Sequence, residues 1–299
     1  MSRVLITGVD GFTGRYLAHT LHEAGHEVHG LVQRAIPDGV HGVSVCHAAD
    51  LSDARALLEV VSRVQPGKVA HLAAIAFVAH GDASAMYNTN LLGTRNLLEA
   101  LAASHSPLTA VLLASSANIY GNSVEGCLSE QTPPAPANDY AVSKLAMEYM
   151  ANLYADRLPL IIARPFNYTG IGQAESFLIP KIVSHVRRRA PVLELGNLNV
   201  ARDFSDVRNV VQLYYRLLST PAAVGQTFNV CSGKAWTLTE VVEMVKKISG
   251  HDFEVQVNPA FVRANEVKTL LGDRSKLDAV VGTVDEISLQ DTLRWMLEV

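Results

Sequence analysis

A tyrosine and a lysine four residues apart, Tyr140 and Lys144, have the types and spacing that acid–base chemistry needs. If their segment is helical, both side chains lie on one face, one turn apart. A neighbouring ammonium group favours the phenolate of a tyrosine and lowers its pKa from about 10. Such a tyrosine could exchange a proton with a carbonyl–alcohol pair near neutral pH, while the hydroxyl of Ser116 holds the same oxygen. A solvated helix face produces the same spacing, so the interpretation depends on the rest of the chain.

Three glycines near the N-terminus, Gly8, Gly11 and Gly14, follow a short apolar run and precede a helical pattern. A strand, a glycine-rich turn and a helix in this order are the context of a dinucleotide-binding fingerprint. Glycines let the backbone approach a pyrophosphate, and the start of the helix offers free N–H groups and the positive end of its dipole. The pattern predicts a dinucleotide site, and a plain glycine-rich turn is the alternative.

The end of the second predicted strand, residues 27–32, bears on the choice of dinucleotide. At this point an acid usually holds the ribose 2′-hydroxyl of NAD, whereas an arginine accommodates the 2′-phosphate of NADP. This chain has Gln33 and Arg34 there and no acid, and Arg15 is a second cation that could reach the same phosphate. We therefore expect NADPH, with NADH possible. Two solvated arginines are the alternative.

Apolar runs alternate with helical patterns through the first half of the chain, which predicts an α/β fold with a Rossmann-type doubly wound parallel sheet. The fifth run ends at Ser115 and Ser116, where catalytic groups lie in such sheets. Beyond residue 165 the pattern loosens: residues 166–170 read as a loop, and residues 202–206 precede another predicted helix. Because no linker is visible, we expect a smaller, interleaved C-terminal α/β substrate lobe. The predicted bounds are 1–165 for the dinucleotide-binding domain, completed by about 203–232, and 166–202 with 233–299 for the substrate-binding lobe.

The composition is that of an ordinary globular protein, with 48% hydrophobic and 18% charged residues. A net charge of −4 gives no reason to expect nucleic acid or an anionic membrane as a partner. Three cysteines without a CxxC pattern suit a reducing cytoplasm. No stretch approaches the ~18 apolar residues of a membrane span, and the first strand follows the N-terminus without a signal peptide. We expect a cytoplasmic homodimer without a metal.

Together these motifs resemble those of the extended short-chain dehydrogenases/reductases, the branch that acts on nucleotide sugars. Residues 7–14, Ser116 and residues 140–144 carry the likeness. The resemblance implies that Ser116, Tyr140 and Lys144 form the catalytic group, and that Lys144 also binds the nicotinamide ribose. The cofactor-binding positions it implies are Gly8, Gly11, Phe12, Gly14, Arg15, Arg34, Asp50, Leu51, Ala73, Ala74, Asn90, Tyr140 and Lys144.

The C-terminal half resembles the members of this family that act on GDP-sugars, above all the branch that reduces GDP-4-keto-6-deoxymannose. The resemblance implies that Arg202 contacts the substrate diphosphate, which a guanidinium can grip bidentately. An ion pair of Arg202 with Asp203 or Asp206 is the alternative. The remaining substrate-binding positions it implies are Ser116, Asn167, Arg263 and Glu266.

Ala117 and Asn118 separate this chain from some relatives. The related 4,6-dehydratases place an acid pair here, and an epimerising relative places a cysteine at the position of Asn118. Neither alanine nor asparagine exchanges protons at neutral pH. Dehydration and 3,5-epimerisation are therefore disfavoured, and His80 or Cys127 would be the residues to suspect if a base were present.

The reaction that the resemblance then implies is the NADPH-dependent reduction of the 4-keto group of a GDP-4-keto-6-deoxy sugar, with Tyr140 as the acid. A nucleotide-sugar 4-epimerase that retains NAD is the first alternative, because it would use the same three residues. A non-enzymatic dinucleotide sensor is the second, and the intact Ser–Tyr–Lys set argues against it.

Overall fold

Strands and helices alternate as the sequence predicts, and the computed structural model describes them over residues 2–76, 82–121, 126–261 and 268–298. The strands are β1 (Arg3–Thr7), β2 (Glu27–Val32), β3 (Val45–Ala48), β4 (Lys68–His71), β5 (Ala110–Ala114), β6 (Gly126–Leu128), β7 (Leu160–Pro165), β8 (Asn167–Thr169), β9 (Val192–Leu195), β10 (Ala201–Asp206), β11 (Thr227–Val230), β12 (Ala235–Thr237), β13 (Glu254–Val257) and β14 (Thr269–Gly272). The helices are α1 (Phe12–Glu23), α2 (Ala54–Val64), α3 (Ala83–Tyr87), α4 (Thr94–Ala103), α5 (Asp139–Asn152), α6 (Leu178–Arg187), α7 (Val207–Ser219), α8 (Leu238–Ser249), α9 (Ser275–Val281) and α10 (Leu289–Glu298).

A seven-stranded sheet forms the centre of the molecule, in the order β11-β7-β5-β4-β1-β2-β3. All of its pairings are parallel. Strand β1 pairs with both β2 and β4, so the strand order reverses at this point and opens a crevice at the carboxyl ends of the strands. This topology confirms the predicted Rossmann-type, doubly wound α/β fold.

The strands of this sheet are mostly apolar because both of its faces are covered by helices. In β5, Leu112 packs into the core shared with α1 and α7, and the next residue, Leu113, packs into the core shared with α2, α4 and α5. Both side chains are fully buried. Strand β5 is therefore fixed from both sides, which holds the serines that follow it in place.

A smaller five-stranded sheet has the order β12-β10-β14-β6, with β8 paired to β10. Strand β8 lies where the sequence reads as a loop, because it has only three residues. Strand β10 lies where no element is predicted, because its sequence shows no apolar alternation. Within the segment 203–232, β10 belongs to this smaller sheet, whereas α7 and β11 pack with the large one. Strand β6, from the first half of the chain, also joins the smaller sheet, so the two lobes are interleaved.

His71 is the last residue of β4, and its ring links this strand to β1 and to α4. Its Nδ1 lies 2.7 Å from Thr7 Oγ1 on β1, and its Nε2 lies 2.8 Å from Thr94 Oγ1 on α4. Burial, with a smaller contribution from the nearby Lys144 ammonium, lowers the pKa of His71 to about 3. The imidazole is therefore neutral in the folded protein at every pH in the physiological range.

This burial predicts a loss of stability in mild acid. The pKa of an unfolded histidine is about 6.5, so between that value and about 3 the unfolded chain binds a proton that the folded protein rejects. Between pH 7 and pH 5 we expect His71 to remove on the order of 2 kcal/mol from the free energy of unfolding, measured by urea denaturation. His71→Asn should weaken this pH dependence, whereas His105→Asn, at an exposed site, should not. An unchanged slope in His71→Asn would contradict the assignment.

Candidate active site

Helix α5 carries Tyr140 and Lys144, and its start is fixed by a cap. The side chain of Asn138 accepts a hydrogen bond of 2.9 Å from the backbone N–H of Ala141. This cap places Tyr140 in the first turn and Lys144 one turn later. Their residues are only 8% and 5% exposed, so both lie on the buried face of the helix that also packs Met147 into the core.

Ser116 is the second residue beyond β5 and lies within hydrogen-bonding distance of Tyr140. Its Oγ accepts hydrogen bonds from the backbone N–H and the side-chain Nδ2 of Asn118, at 3.1 and 3.0 Å. Its side chain also hydrogen-bonds the phenol of Tyr140. Because the serine oxygen already accepts two bonds, its own O–H is available to donate toward the phenol oxygen.

The protonation states differ from the sequence-based expectation. Burial raises the pKa of Tyr140 to about 12, and the Ser116 hydrogen bond opposes this only in part. The Lys144 ammonium donates to the carbonyl oxygen of Ala114 at 2.7 Å, and burial lowers the pKa of Lys144 to about 8, with Glu148 opposing the shift. The expected lowering of the Tyr140 pKa is therefore wrong for the protein by itself. The phenol keeps its proton at neutral pH, which suits a proton donor.

A buried ion pair that the sequence analysis does not predict joins α5, which carries Tyr140 and Lys144, to β7. Arg164 on β7 donates to both oxygens of Glu148, from Nε at 3.0 Å and from Nη2 at 2.6 Å. The hydroxyl of Ser115 donates to the same carboxylate, and Arg164 also donates to Tyr120 Oη at 3.0 Å. Since Glu148 follows Lys144 by one helical turn, the spacing was visible in the sequence but its burial was not.

The glycine-rich turn has the shape that a dinucleotide pyrophosphate requires. A Cβ at Gly14 would lie 2.2 Å from the carbonyl oxygen of Gly8, and one at Gly8, where φ is +66°, would lie 2.9 Å from the backbone of Ala73. Gly11 is the N-cap residue of α1 and supplies no side-chain cap to the first-turn N–H groups. The residues present therefore fit the predicted dinucleotide at this turn.

The two arginines considered for a 2′-phosphate lie in the first turn of α1 and after the end of β2. Arg34 is exposed, two residues beyond β2, and forms no ion pair with any residue that the structure describes. Arg15 is also exposed, and its Nε donates to the carbonyl oxygen of Asp10 at 2.9 Å. Asp50 accepts from Gln33 Nε2 at 2.7 Å and from the N–H of Ser52. These hydrogen bonds lower the pKa of Asp50 and fix the loop beside Arg34.

Asn90 is buried between the loop after β4 and α5. Its Oδ1 accepts from the N–H of Ile75 at 2.8 Å, and its Nδ2 donates to the carbonyl oxygen of Ile75 and to Ser143 Oγ. The residue is 1% exposed, so its side chain ties the loop after β4, which contains Ala73 and Ala74, to α5. A direct contact of this side chain with the cofactor stays a prediction. Leu51 is likewise buried and packs near Gly93.

Two of the residues expected to bind the substrate, Asn167 and Arg202, lie on the paired strands β8 and β10. Exposed Asn167 on β8 donates from Nδ2 to the carbonyl oxygen of Asp203 at 3.3 Å, and half-buried Arg202 is the second residue of β10. The carboxylate of Asp203 instead accepts N–H groups of Ser232 and Gly233, at 2.8 and 2.9 Å. Three further residues, Arg263, Glu266 and His80, lie outside the residues that the structure describes.

The acidic neighbours of Arg202 are thus engaged by other groups, since Asp206 also pairs with Arg208 at 2.7 Å. Cys127 is exposed on β6, and partial desolvation together with the nearby carboxylates of Asp273 and Asp203 raises the pKa of its thiol, so it is not poised as a base. Among the described residues no cluster of side chains is suited to hold a metal ion, and no helix could span a membrane.

The strand order, the glycine-rich turn and the Ser116–Tyr140–Lys144 group define an NAD(P)-dependent oxidoreductase of the extended short-chain dehydrogenase/reductase type. The comparison with family models agrees with this class. The model described as GDP-mannose 4,6 dehydratase matches residues 5–296. The chain belongs to that family.

Two curated relatives are similar over nearly their full lengths. A GDP-6-deoxy-D-talose 4-dehydrogenase of Aggregatibacter actinomycetemcomitans is 34% identical over 280 residues, which are 94% of this chain and 91% of the relative. A GDP-6-deoxy-D-mannose reductase of Pseudomonas aeruginosa PAO1 is 35% identical over an alignment of 306 positions, which covers 99% of this chain and 96% of the relative.

Two solved structures are also similar. One, from Burkholderia cenocepacia J2315 and described as a candidate epimerase, is 50% identical with a TM-score of 0.94, over 99% of this chain and 97% of that one. The other is RMD from Pseudomonas aeruginosa, solved in complex with NADPH. It is 32% identical with a TM-score of 0.87, over 100% of this chain and 98% of that one.

The geometry of the triad predicts the effect of removing one hydroxyl. Tyr140→Phe deletes the proton donor but keeps the ring that fills the buried site. We expect turnover to fall by at least ~10², the scale that general acid catalysis supplies, while the dissociation constant for the dinucleotide stays within a few-fold of wild type. Steady-state kinetics and fluorescence titration measure the two quantities. Near-normal turnover in a folded Tyr140→Phe protein would show that another group donates the proton.

Proposed function

We propose that the protein reduces the 4-keto group of a GDP-4-keto-6-deoxy sugar with NADPH, giving a GDP-6-deoxyhexose. The observation that carries the proposal is the combination of a protonated tyrosine on α5 with two residues after β5 that exchange no protons. Tyr140 is held in its protonated form, and Ala117 and Asn118 stand where a dehydratase needs proton-exchanging groups. A reduction needs one proton donor and no base that removes hydrogen from carbon, so these residues suffice for it.

The names of the relatives support the same substrate class. One is a 4-dehydrogenase of GDP-6-deoxy-D-talose and the other a reductase named for GDP-6-deoxy-D-mannose. These two sugars differ only in the configuration at carbon 4, so one 4-keto compound leads to either. Reduction on one face gives 6-deoxymannose and on the other 6-deoxytalose, and proton NMR of the product distinguishes them. The GDP moiety is assigned to the side of Asn167 and Arg202, with Arg263 and Glu266.

Each residue of the site then has a role in the proton balance. When bound, NADPH supplies the hydride that carbon 4 receives. Tyr140 donates its proton to the oxygen that becomes the alcohol, and the Ser116 hydroxyl donates a hydrogen bond to the same oxygen. Lys144, with a pKa of about 8, carries a positive charge at neutral pH and stabilises the phenolate that Tyr140 becomes. Lys144 is also assigned to the nicotinamide ribose, and the glycine-rich turn to the pyrophosphate.

A nucleotide-sugar 4-epimerase that retains NAD is the second candidate, favoured by the description of the 50% identical structure. The purified protein distinguishes the two. A reductase releases its dinucleotide on dialysis and oxidises one NADPH for each keto sugar that it converts. An epimerase keeps bound NAD⁺ and converts a GDP-sugar into its 4-epimer without net change in NADPH absorbance at 340 nm.

We predict a preference for NADPH over NADH that depends on Arg34. Arg34→Ala should weaken NADPH binding by about tenfold or more, as expected for the loss of a charge-assisted hydrogen bond to phosphate, and leave NADH unaffected. Arg55→Ala is the matched control, because Arg55 is an arginine 89% exposed on α2 whose ion pair is with Glu59. A wild-type protein that uses both dinucleotides equally well would contradict the role of Arg34.

We also predict that the enzyme does not exchange hydrogens of the sugar with solvent. Incubated in deuterated water with the 4-keto-6-deoxy substrate and NADPH, it should introduce no deuterium at carbon 3 or 5. It should also leave GDP-mannose unchanged, because Ala117 and Asn118 cannot supply the proton transfers of dehydration. Mass spectrometry that finds enzyme-dependent deuterium at carbon 3 or 5 would place the protein among the epimerising members instead.

We further propose a cytoplasmic homodimer formed through one face of α5 and the π-helical segment Asn88–Gly93 before α4. Val142, Tyr149, Leu153 and Leu92 expose 38%, 65%, 79% and 48% of their surface there, an apolar patch that a second copy could cover. Sedimentation equilibrium should give the dimer mass, and Leu153→Asp should shift it to monomer. Val257→Asp, which changes another exposed apolar residue outside this face, should leave the mass unchanged. A wild-type monomer would contradict the proposal.

A further inference from the structure

The first turn of α1 is bound directly to β8 of the smaller sheet. Thr13 Oγ1 and Tyr168 Oη lie 2.8 Å apart in a hydrogen bond. The rings of Phe12 and Tyr168 are stacked, with centroids 6.0 Å apart and planes inclined by 11°. One turn further along α1, Tyr16 Oη donates to the carbonyl oxygen of Ile171 at 2.8 Å. Helix α1, which begins at the glycine-rich turn, is therefore bound through these contacts to β8 of the smaller sheet.

The two ends of this contact belong to different binding sites. Phe12 and Thr13 follow Gly11, so their backbone N–H groups are among those that α1 directs at a bound pyrophosphate. Tyr168 follows Asn167 and pairs in register with Ser205 of β10, the strand that carries Arg202. Burial raises the pKa of the Tyr168 phenol, so its hydroxyl stays protonated and able to share a hydrogen with Thr13.

We propose that Tyr168 is a positioning residue for the dinucleotide, acting through the hydroxyl of Thr13. The hydrogen bond holds the first turn of α1 in the orientation that its N–H groups need, and it transmits the position of β8 to that turn. A residue of the substrate lobe thus contributes to NADPH affinity without touching NADPH. The inference rests on the placement of NADPH at the glycine-rich turn, as in the proposed function.

Conservative variants isolate this hydrogen bond. Tyr168→Phe keeps the ring stacked on Phe12, and Thr13→Val keeps the volume of the threonine. For each single variant we expect the dissociation constant for NADPH, measured by fluorescence titration, to rise about threefold to tenfold, the worth of one part-buried hydrogen bond. The double variant should bind no more weakly than either single variant, because each already lacks the bond. Tyr154→Phe is the matched control, since it deletes a 2.7 Å hydrogen bond to Glu99 away from α1.

Urea denaturation of the same four proteins separates positioning from a purely structural role. If the bond only stabilised the fold, all variants would lose unfolding free energy while their NADPH dissociation constants stayed equal to that of wild type, and the proposal would be overturned. Additive losses of NADPH affinity in the double variant would also overturn it. A wild-type protein that binds no NADPH would overturn it together with the proposed function, whereas an absence of activity on GDP-sugars alone would leave this test intact.

Discussion

The buried ion pair between Glu148 and Arg164 is the interaction on which the geometry of the active site depends. Their closest atoms are 2.6 Å apart, and their side chains are only 8% and 11% exposed. Removing one partner would leave an uncompensated buried charge, at a cost of roughly 3–5 kcal/mol. The pair joins α5, which carries Tyr140, to β7, and Ser115 binds the same carboxylate. One carboxylate thus sets the distance between the tyrosine and the strand end at Ser116.

The large sheet could be predicted from the sequence because its strands have a simple signature. A strand buried on both faces is a continuous apolar run, and residues such as Ser115 mark its end. The smaller sheet could not be predicted in the same way. Strands β8 and β14 have three and four residues, and their pairing with β10 joins segments far apart in the chain. Register of this kind depends on tertiary contacts that no local pattern contains.

The placement of Ser116, Tyr140 and Lys144 could also be predicted from residue types and spacing, whereas the buried polar residues around them could not. Asn90, Asp203 and Arg164 are polar residues that a sequence pattern places on the surface, yet each is buried and fully engaged by neighbours. Burial also raises the pKa of Tyr140, whereas the sequence predicts that the pKa is lowered. Spacing shows which side chains share a face of a helix, but only packing shows how much water they retain, and water sets the protonation state.

The transfer of hydrogen from cofactor to sugar tests the central claim most directly. NADPH labelled with deuterium at carbon 4 of the nicotinamide, on one face or the other, is incubated with GDP-4-keto-6-deoxymannose and the protein, and the product is analysed by NMR. A 4-keto reductase places one deuterium at carbon 4 of the 6-deoxyhexose from one of the two labelled faces. A converted sugar without deuterium at carbon 4 from either face would contradict the account.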